Sequence, residues 1–371
     1  MSRATPALVA PSIGQLKLDT IHLDALRPDE VLVKIHAVGI CHADISCMRG
    51  IIPVKFPIVL GHEGAGTVLE AGDAVDGDIA PGDKVLLSFN SCQACTTCNA
   101  GIPAYCENML LLNFGGTRLD GSRPMRLPDG TPLHGNFFGQ SSFAQLAIVS
   151  SASLVKVHEA LPLDLLAPLG CGMQTGAGAV FNTLNVEADT SIVVFGTGAV
   201  GMAAIMAARI RGAYPIIGID VVADRLPIAR ELGATHVLCY DDDEIVSRIK
   251  ALCHGKGALN AIDTTGKPSV IAQMMDSLGC HGKGVSIGAP SPGTTVAVDI
   301  FSQITRGKRY IGCNQGDSIP QKMIPLLVQE HLQGRFPLDK IVKRYQMQDF
   351  ARAIDDMSSG RTIKPVLVWP E

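Results

Sequence analysis

The run from Thr190 to Ala208, nineteen residues, carries no charged side chain. Length and apolarity alone would suit a membrane-spanning helix. Three glycines decide otherwise. Gly196, Gly198 and Gly201 punctuate the run as G-x-G-x-x-G and divide it into an apolar strand, a tight turn and a helix. The rhythm continues downstream. Residues 191–195 read as strand and 199–211 as helix, then 215–219 as strand and 223–232 as helix. Short apolar strands near 236–238, 259–262 and 284–287 extend the alternation. Strands alternating with helices predict a parallel sheet wound on both faces, an α/β domain.

The glycines also predict a ligand. They permit a sharp turn and a close approach of backbone to a pyrophosphate, whose charge rests on the helix start at Ala199 and Val200. Such a fingerprint is weak alone, but an acidic residue is expected about twenty positions on, and Asp220 closes the second strand. A carboxylate there accepts ribose hydroxyls and repels a 2′-phosphate, which favours NAD(H) over NADP(H). Arg225 offers a cation on the adenosine side and weighs the other way.

A chain of 371 residues exceeds one ordinary core, so about two domains are expected. Residues 16–90 read as short β segments, among them 31–35, 66–70 and 84–87, the last behind a Pro81-Gly82-Asp83 turn. Residues 90–140 are loop-rich. After 312 comes a helix near 320–333 and a β-like end at 365–369. The expected division is 1–172, a cofactor domain over 173–311, and a return to the first domain over 312–371. A net charge of -4 without a basic run argues against nucleic-acid binding. The N-terminus lacks an apolar run of signal-peptide type, so a cytosolic chain with reduced thiols is expected.

Of eleven cysteines, four fall as C-x2-C-x2-C-x7-C at Cys92, Cys95, Cys98 and Cys106. Four thiolates close the coordination sphere of a zinc ion, which would order that loop and perform no chemistry. Cys47, Cys239, Cys253, Cys280 and Cys313 fit no ligand pattern and read as small buried side chains or surface thiols. Cys41, His62 and Cys171 are too scattered for spacing to join them.

Gly61-His62-Glu63-x2-Gly66-x5-Gly72-x2-Val75 joins them by resemblance. With the quartet and the glycine turn, it makes the chain similar to the zinc-containing medium-chain alcohol dehydrogenases over nearly its full length. The resemblance implies a GroES-like β-rich catalytic domain, a Rossmann cofactor domain with a cleft between them, and a homodimer or homotetramer. It implies two zinc ions per subunit, the second on Cys41, His62 and Cys171 with one position open. Asp44 is then the partner of the histidine, and Glu63 lies beside the metal. His42 faces the cofactor pyrophosphate, and Lys364 lies near the cofactor phosphates. Residues 137–144, 316–323 and 333–340 look like the benzyl- or aryl-alcohol branch, which implies a bulky or aromatic primary alcohol and its aldehyde.

One position departs from that family. The family carries Ser or Thr two residues after the first cysteine ligand to start a proton relay, and often a His three residues further on. Here the chain reads Cys41-His42-Ala43-Asp44-Ile45-Ser46. Ala43 has no hydroxyl, and Ser46 accepts no proton near neutral pH. Loss of a positioned proton carrier costs on the order of 10²–10⁴-fold. Either water or a ribose hydroxyl carries the proton, or the substrate differs. The alternative is a reductase of an activated C=C or C=N bond in specialised metabolism. A member that has lost catalysis and serves as a binding protein is disfavoured by the intact ligand set.

Overall fold

The computed structural model describes residues 3–75, 77–158, 160–240 and 244–370. They form two compact units.

The first unit comprises Met1–Cys171, Ile319–Val328 and Ile341–Glu371. Among its described residues, a seven-stranded sheet is built around Glu30–Gly39. Val31, Val33, Ile35 and Ala37 make one face of that strand apolar, and most of the strand is buried between neighbours on both edges. Gly64–Ala71 pairs antiparallel along one edge. The other edge is shared: Leu146–Ser150 pairs with residues 30–34, and Lys364–Val368 pairs with residues 37–39. Lys84–Leu87 and Leu154–Val157 extend the sheet beyond Gly64–Ala71. Val342–Gln346 runs parallel to Lys364–Val368. A second, five-stranded sheet is organised on Arg3–Ala10, a strand the sequence reading had not marked, paired with Lys17–Leu23. Leu8, Ile21, Ile35 and Phe137 lie in one continuous core.

The second unit comprises Gly172–Ser318 and Gln329–Lys340. Among its described residues six strands, Ile192–Phe195, Ile216–Asp220, His236–Cys239, Ala258–Asp263, Leu278–Ser286 and Arg309–Gly312, form one parallel sheet. Their spatial order is third, second, first, fourth, fifth, sixth. This is the doubly wound order that binds dinucleotides where the direction of winding reverses, beside the first strand. The uncharged run resolves here. It spans the first strand and helix Ala199–Ile210, whose residues from Gly201 to Ala208 are all buried. A central helix with no solvent face has no use for charge. No helix among the described residues is long and apolar enough to cross a membrane.

The last sixty residues divide differently from the single return expected over 312–371. Residues 312–318 and Gln329–Lys340 cluster with the second unit, and the break falls inside helix Pro320–Leu332. Lys340 Nζ pairs with Glu231 at 2.7 Å within that unit, one contact that holds the segment there.

Candidate active site

The first unit gathers Cys41, His62, Glu63 and Cys171, whose ligand atoms all lie within 4.8 Å of one another. Short-range structure aims each one. Cys41 caps helix His42–Met48, and Asp44 in its first turn reaches back to accept the Cys41 N–H at 3.0 Å. The same carboxylate accepts from the Gly61 N–H at 3.0 Å and meets His62 Nδ1 at 2.9 Å. Gly61 has φ +89°, and a Cβ there would collide with the Phe143 backbone, so this corner requires glycine. Ser88 Oγ donates to Gly170 O at 2.7 Å beside Cys171.

With Nδ1 engaged by Asp44, His62 Nε2 is buried and has no hydrogen-bond partner. An orphaned buried nitrogen costs about 1–3 kcal/mol. Two thiols and this nitrogen form a soft, largely buried donor set that suits a zinc ion, and filling it would remove that cost.

The electrostatics are those of groups competing for protons. Hydrogen bonding from the Cys171 thiol, aided by His62 and Lys364, holds the Cys41 thiol well below its usual range. Cys171 is pushed well above that range by Cys41 and by burial. Burial works against charge on His62, but Asp44 and Cys41 outweigh it and raise the imidazole to about 10. Burial pushes Glu63 up to about 7 against the opposing pull of Lys364.

Lys364, expected near the cofactor phosphates, lies beside the cysteine–histidine cluster. It is 2% exposed, donates to Ile40 O at 3.0 Å and pairs with Glu63 Oε1 at 2.7 Å. A buried carboxylate needs a partner of opposite charge, and strand Lys364–Val368 delivers it. His42 is exposed, while Ala43 and Ser46 are half-buried.

Aromatic rings complete the surroundings. Phe138 stacks on His62 with centroids 4.4 Å apart and planes at 22°. Phe137 meets the same ring edge-on at 5.6 Å, and Phe114 packs against both phenylalanines. Sequence reading singled out residues 137–144 without assigning Phe138 or Gln140 a role. The pair of bulky rings before Gly139 was the available signal.

The second cluster, Cys92, Cys95, Cys98 and Cys106, also has its sulfurs within 4.8 Å. Backbone N–H groups point into it: Cys92 N–H donates to Cys106 Sγ at 3.3 Å, and Cys95 N–H to Cys92 Sγ at 3.3 Å. The Thr97 hydroxyl, with backbone donors, lowers Cys95 to about 5. All eleven cysteines are unpaired.

In the second unit, Gly196 follows the first strand with φ +90°. A Cβ on Gly201 would strike the Gly196 carbonyl, so helix and strand approach only through glycine. Gly198 caps helix Ala199–Ile210, leaving the Ala199 and Val200 end of the helix available to an anion. Asp220, ending the second strand, accepts from the Thr197 N–H at 2.6 Å, its hydroxyl at 2.9 Å and the Val222 N–H at 2.8 Å. Arg225 Nη1 lies 3.6 Å from the same carboxylate.

Known proteins place this arrangement. Residues 27–159 match the model of the alcohol dehydrogenase GroES-like domain, and residues 199–329 match that of zinc-binding dehydrogenases. A geraniol dehydrogenase from Castellaniella defragrans is 41% identical over 358 residues, covering 96% of this chain and 95% of that protein. An alcohol dehydrogenase zinc-binding domain protein from Burkholderia ambifaria is 45% identical, with a TM-score of 0.97 and full coverage of both chains. The benzyl alcohol dehydrogenase of Acinetobacter calcoaceticus is 39% identical, with a TM-score of 0.95, covering 99% of this chain and 100% of that one. The chain belongs to the zinc-containing medium-chain alcohol dehydrogenases, oxidoreductases that use zinc and a nicotinamide cofactor.

Proposed function

We propose that the chain interconverts a bulky or aromatic primary alcohol and its aldehyde with NAD(H). In this reading one zinc is held by Cys41, His62 and Cys171, and a second by Cys92, Cys95, Cys98 and Cys106. The observation that carries it is His62 Nε2, a buried nitrogen without a partner in a cluster with two thiols. Three protein ligands leave one position for substrate. Zinc bound there supplies a Lewis acid that draws electron density from an alcohol or carbonyl oxygen. The chain's own residues do the rest. Asp44 fixes the His62 ring, and Lys364 compensates Glu63. Phe114, Phe137 and Phe138 give the surroundings an apolar, aromatic character. A preference for bulky substrates is further supported by relatives whose names cite geraniol and benzyl alcohol.

The glycine turn and helix start Ala199–Val200 bind the pyrophosphate in this reading. Asp220 takes the ribose hydroxyls, and Arg225 neutralises part of its charge. Steady-state rates with benzyl alcohol, geraniol and ethanol, each with NAD and NADP, test the proposal. Ethanol as the best substrate, or preference for NADP, would overturn the corresponding part.

Ala43 favours a second reading, reduction of an activated C=C or C=N bond, which needs no proton removed from an alcohol. NADH consumption across aldehydes, enals and iminium compounds separates the two. We further propose a homodimer or homotetramer in the cytosol. Ile300, Phe301 and Ile304 expose apolar area on one helix, and unpaired thiols suit a reducing compartment.

A further inference from the structure

Residues 137–143 run beside residues 59–64 and bond to nearly every peptide group there. Ser141 Oγ donates to Val59 O at 2.7 Å, and the Phe143 N–H donates to Leu60 O at 3.1 Å. The Ser142 N–H donates to Gly61 O at 3.0 Å. Gln140, fully buried, holds the next two positions. Its Nε2 donates to His62 O at 3.0 Å, and its Oε1 accepts the Gly64 N–H at 3.1 Å.

The second hydrogen on Nε2 goes to Ser88 O at 2.9 Å. Ser88 Oγ in turn donates to Gly170 O. Two carbonyls and one N–H around the carboxamide admit only one orientation of it. The same segment keeps Asn136, Phe138 and Ser141 at φ 56°, 52° and 50°, conformations that non-glycine residues avoid. Phe138 thereby lies flat on the His62 ring. A strained segment that grips both the main chain and the ring of one histidine is doing more than connecting strands.

We propose that Gln140 is a positioning residue for the open metal centre, fixing His62 relative to Cys171 through Ser88 and Gly170. The proposal rests on the reading that Cys41, His62 and Cys171 hold a metal. It assigns Gln140 no contact with substrate or cofactor.

The test uses the zinc-loaded full chain and a colorimetric chelator, which reads the release of both zinc ions in one trace. The phase missing from Cys171→Ser is the open centre, and the quartet serves as control within the same molecule. Outer partners of metal ligands are worth about 10–100-fold in affinity. Gln140→Leu is therefore expected to speed release from the open centre about tenfold or more, with the quartet within about twofold of the parent. Ser88→Ala should speed the same phase by a smaller factor, and it decides the matter alone if Gln140→Leu does not fold. Unchanged release in these variants, or equal acceleration of both phases, overturns the proposal. A zinc content and release trace left unchanged by Cys171→Ser overturn the metal reading of that site itself, and the proposal with it.

Discussion

His62 Nδ1 lies 2.9 Å from Asp44 Oδ1, and that oxygen also takes the Gly61 N–H at 3.0 Å. One buried carboxylate thus fixes a histidine ring and the turn that presents it. Asp44→Ala should lower zinc affinity at the open centre about 10–100-fold, while Asp44→Asn, which keeps one acceptor, should cost less. Equilibrium competition with a chelator measures both. Unchanged affinity in Asp44→Ala would remove the aspartate from the metal's support.

The quartet should be separable from chemistry. Cys98→Ser is expected to bind one zinc instead of two and to become sensitive to protease between residues 92 and 106. NADH binding should survive, because the glycine turn belongs to the other unit. Mass spectrometry of the intact chain and of the cleavage products reads the outcome. A stable, protease-resistant loop in the one-zinc protein would contradict it.

Asp220 should set cofactor choice. Asp220→Ser removes the charge that repels a 2′-phosphate and leaves Arg225 Nη1 without the partner now 3.6 Å away. The NADP/NAD ratio of kcat/KM should rise about tenfold or more, which is about 1.4 kcal/mol of discrimination. Arg225→Ala should move the ratio the other way. If neither variant changes it, selection lies elsewhere on the adenosine side.

Ala43 tests the identity of the substrate. Supplying the missing hydroxyl by Ala43→Ser or Ala43→Thr should raise the rate of alcohol oxidation, by up to about 10²-fold, if proton removal limits it. Under the reductase reading the rate of NADH oxidation by an enal stays the same. An alcohol rate unmoved by either substitution would show that another route already carries the proton.

Much of this was legible before any coordinates. Periodicity located the strands and helices of the second unit, because buried parallel strands are uninterrupted apolar runs and glycine marks the turns. The clustering of the quartet was legible from spacing, since its four cysteines lie within one loop. The open centre was not, because Cys41, His62 and Cys171 come from separated segments and only a family motif linked them. Lys364 was harder still. Nothing in Arg361-Thr-Ile-Lys-Pro365 announces a buried ion pair with a glutamate three hundred residues earlier. Gln140 and Phe138 stood in a noticed motif, yet their roles depend on backbone angles that sequence does not display. Arg3–Ala10 escaped notice because proline and alanine dilute its β signal.

The pairing of Lys364 with Glu63 has a consequence for how the molecule is made. Lys364 follows Glu63 by 301 positions, and strand Lys364–Val368 lies against the central strand of the first unit. During synthesis Cys41, His62, Glu63 and Cys171 emerge long before their counter-charge does. The first unit therefore waits, with one edge of its sheet unfilled and a buried acid uncompensated, until the segment that carries Lys364 has been made. A nascent chain lacking strand Lys364–Val368 is the species on which chaperones would act, and loss of that strand would leave both the sheet edge and Glu63 without a partner.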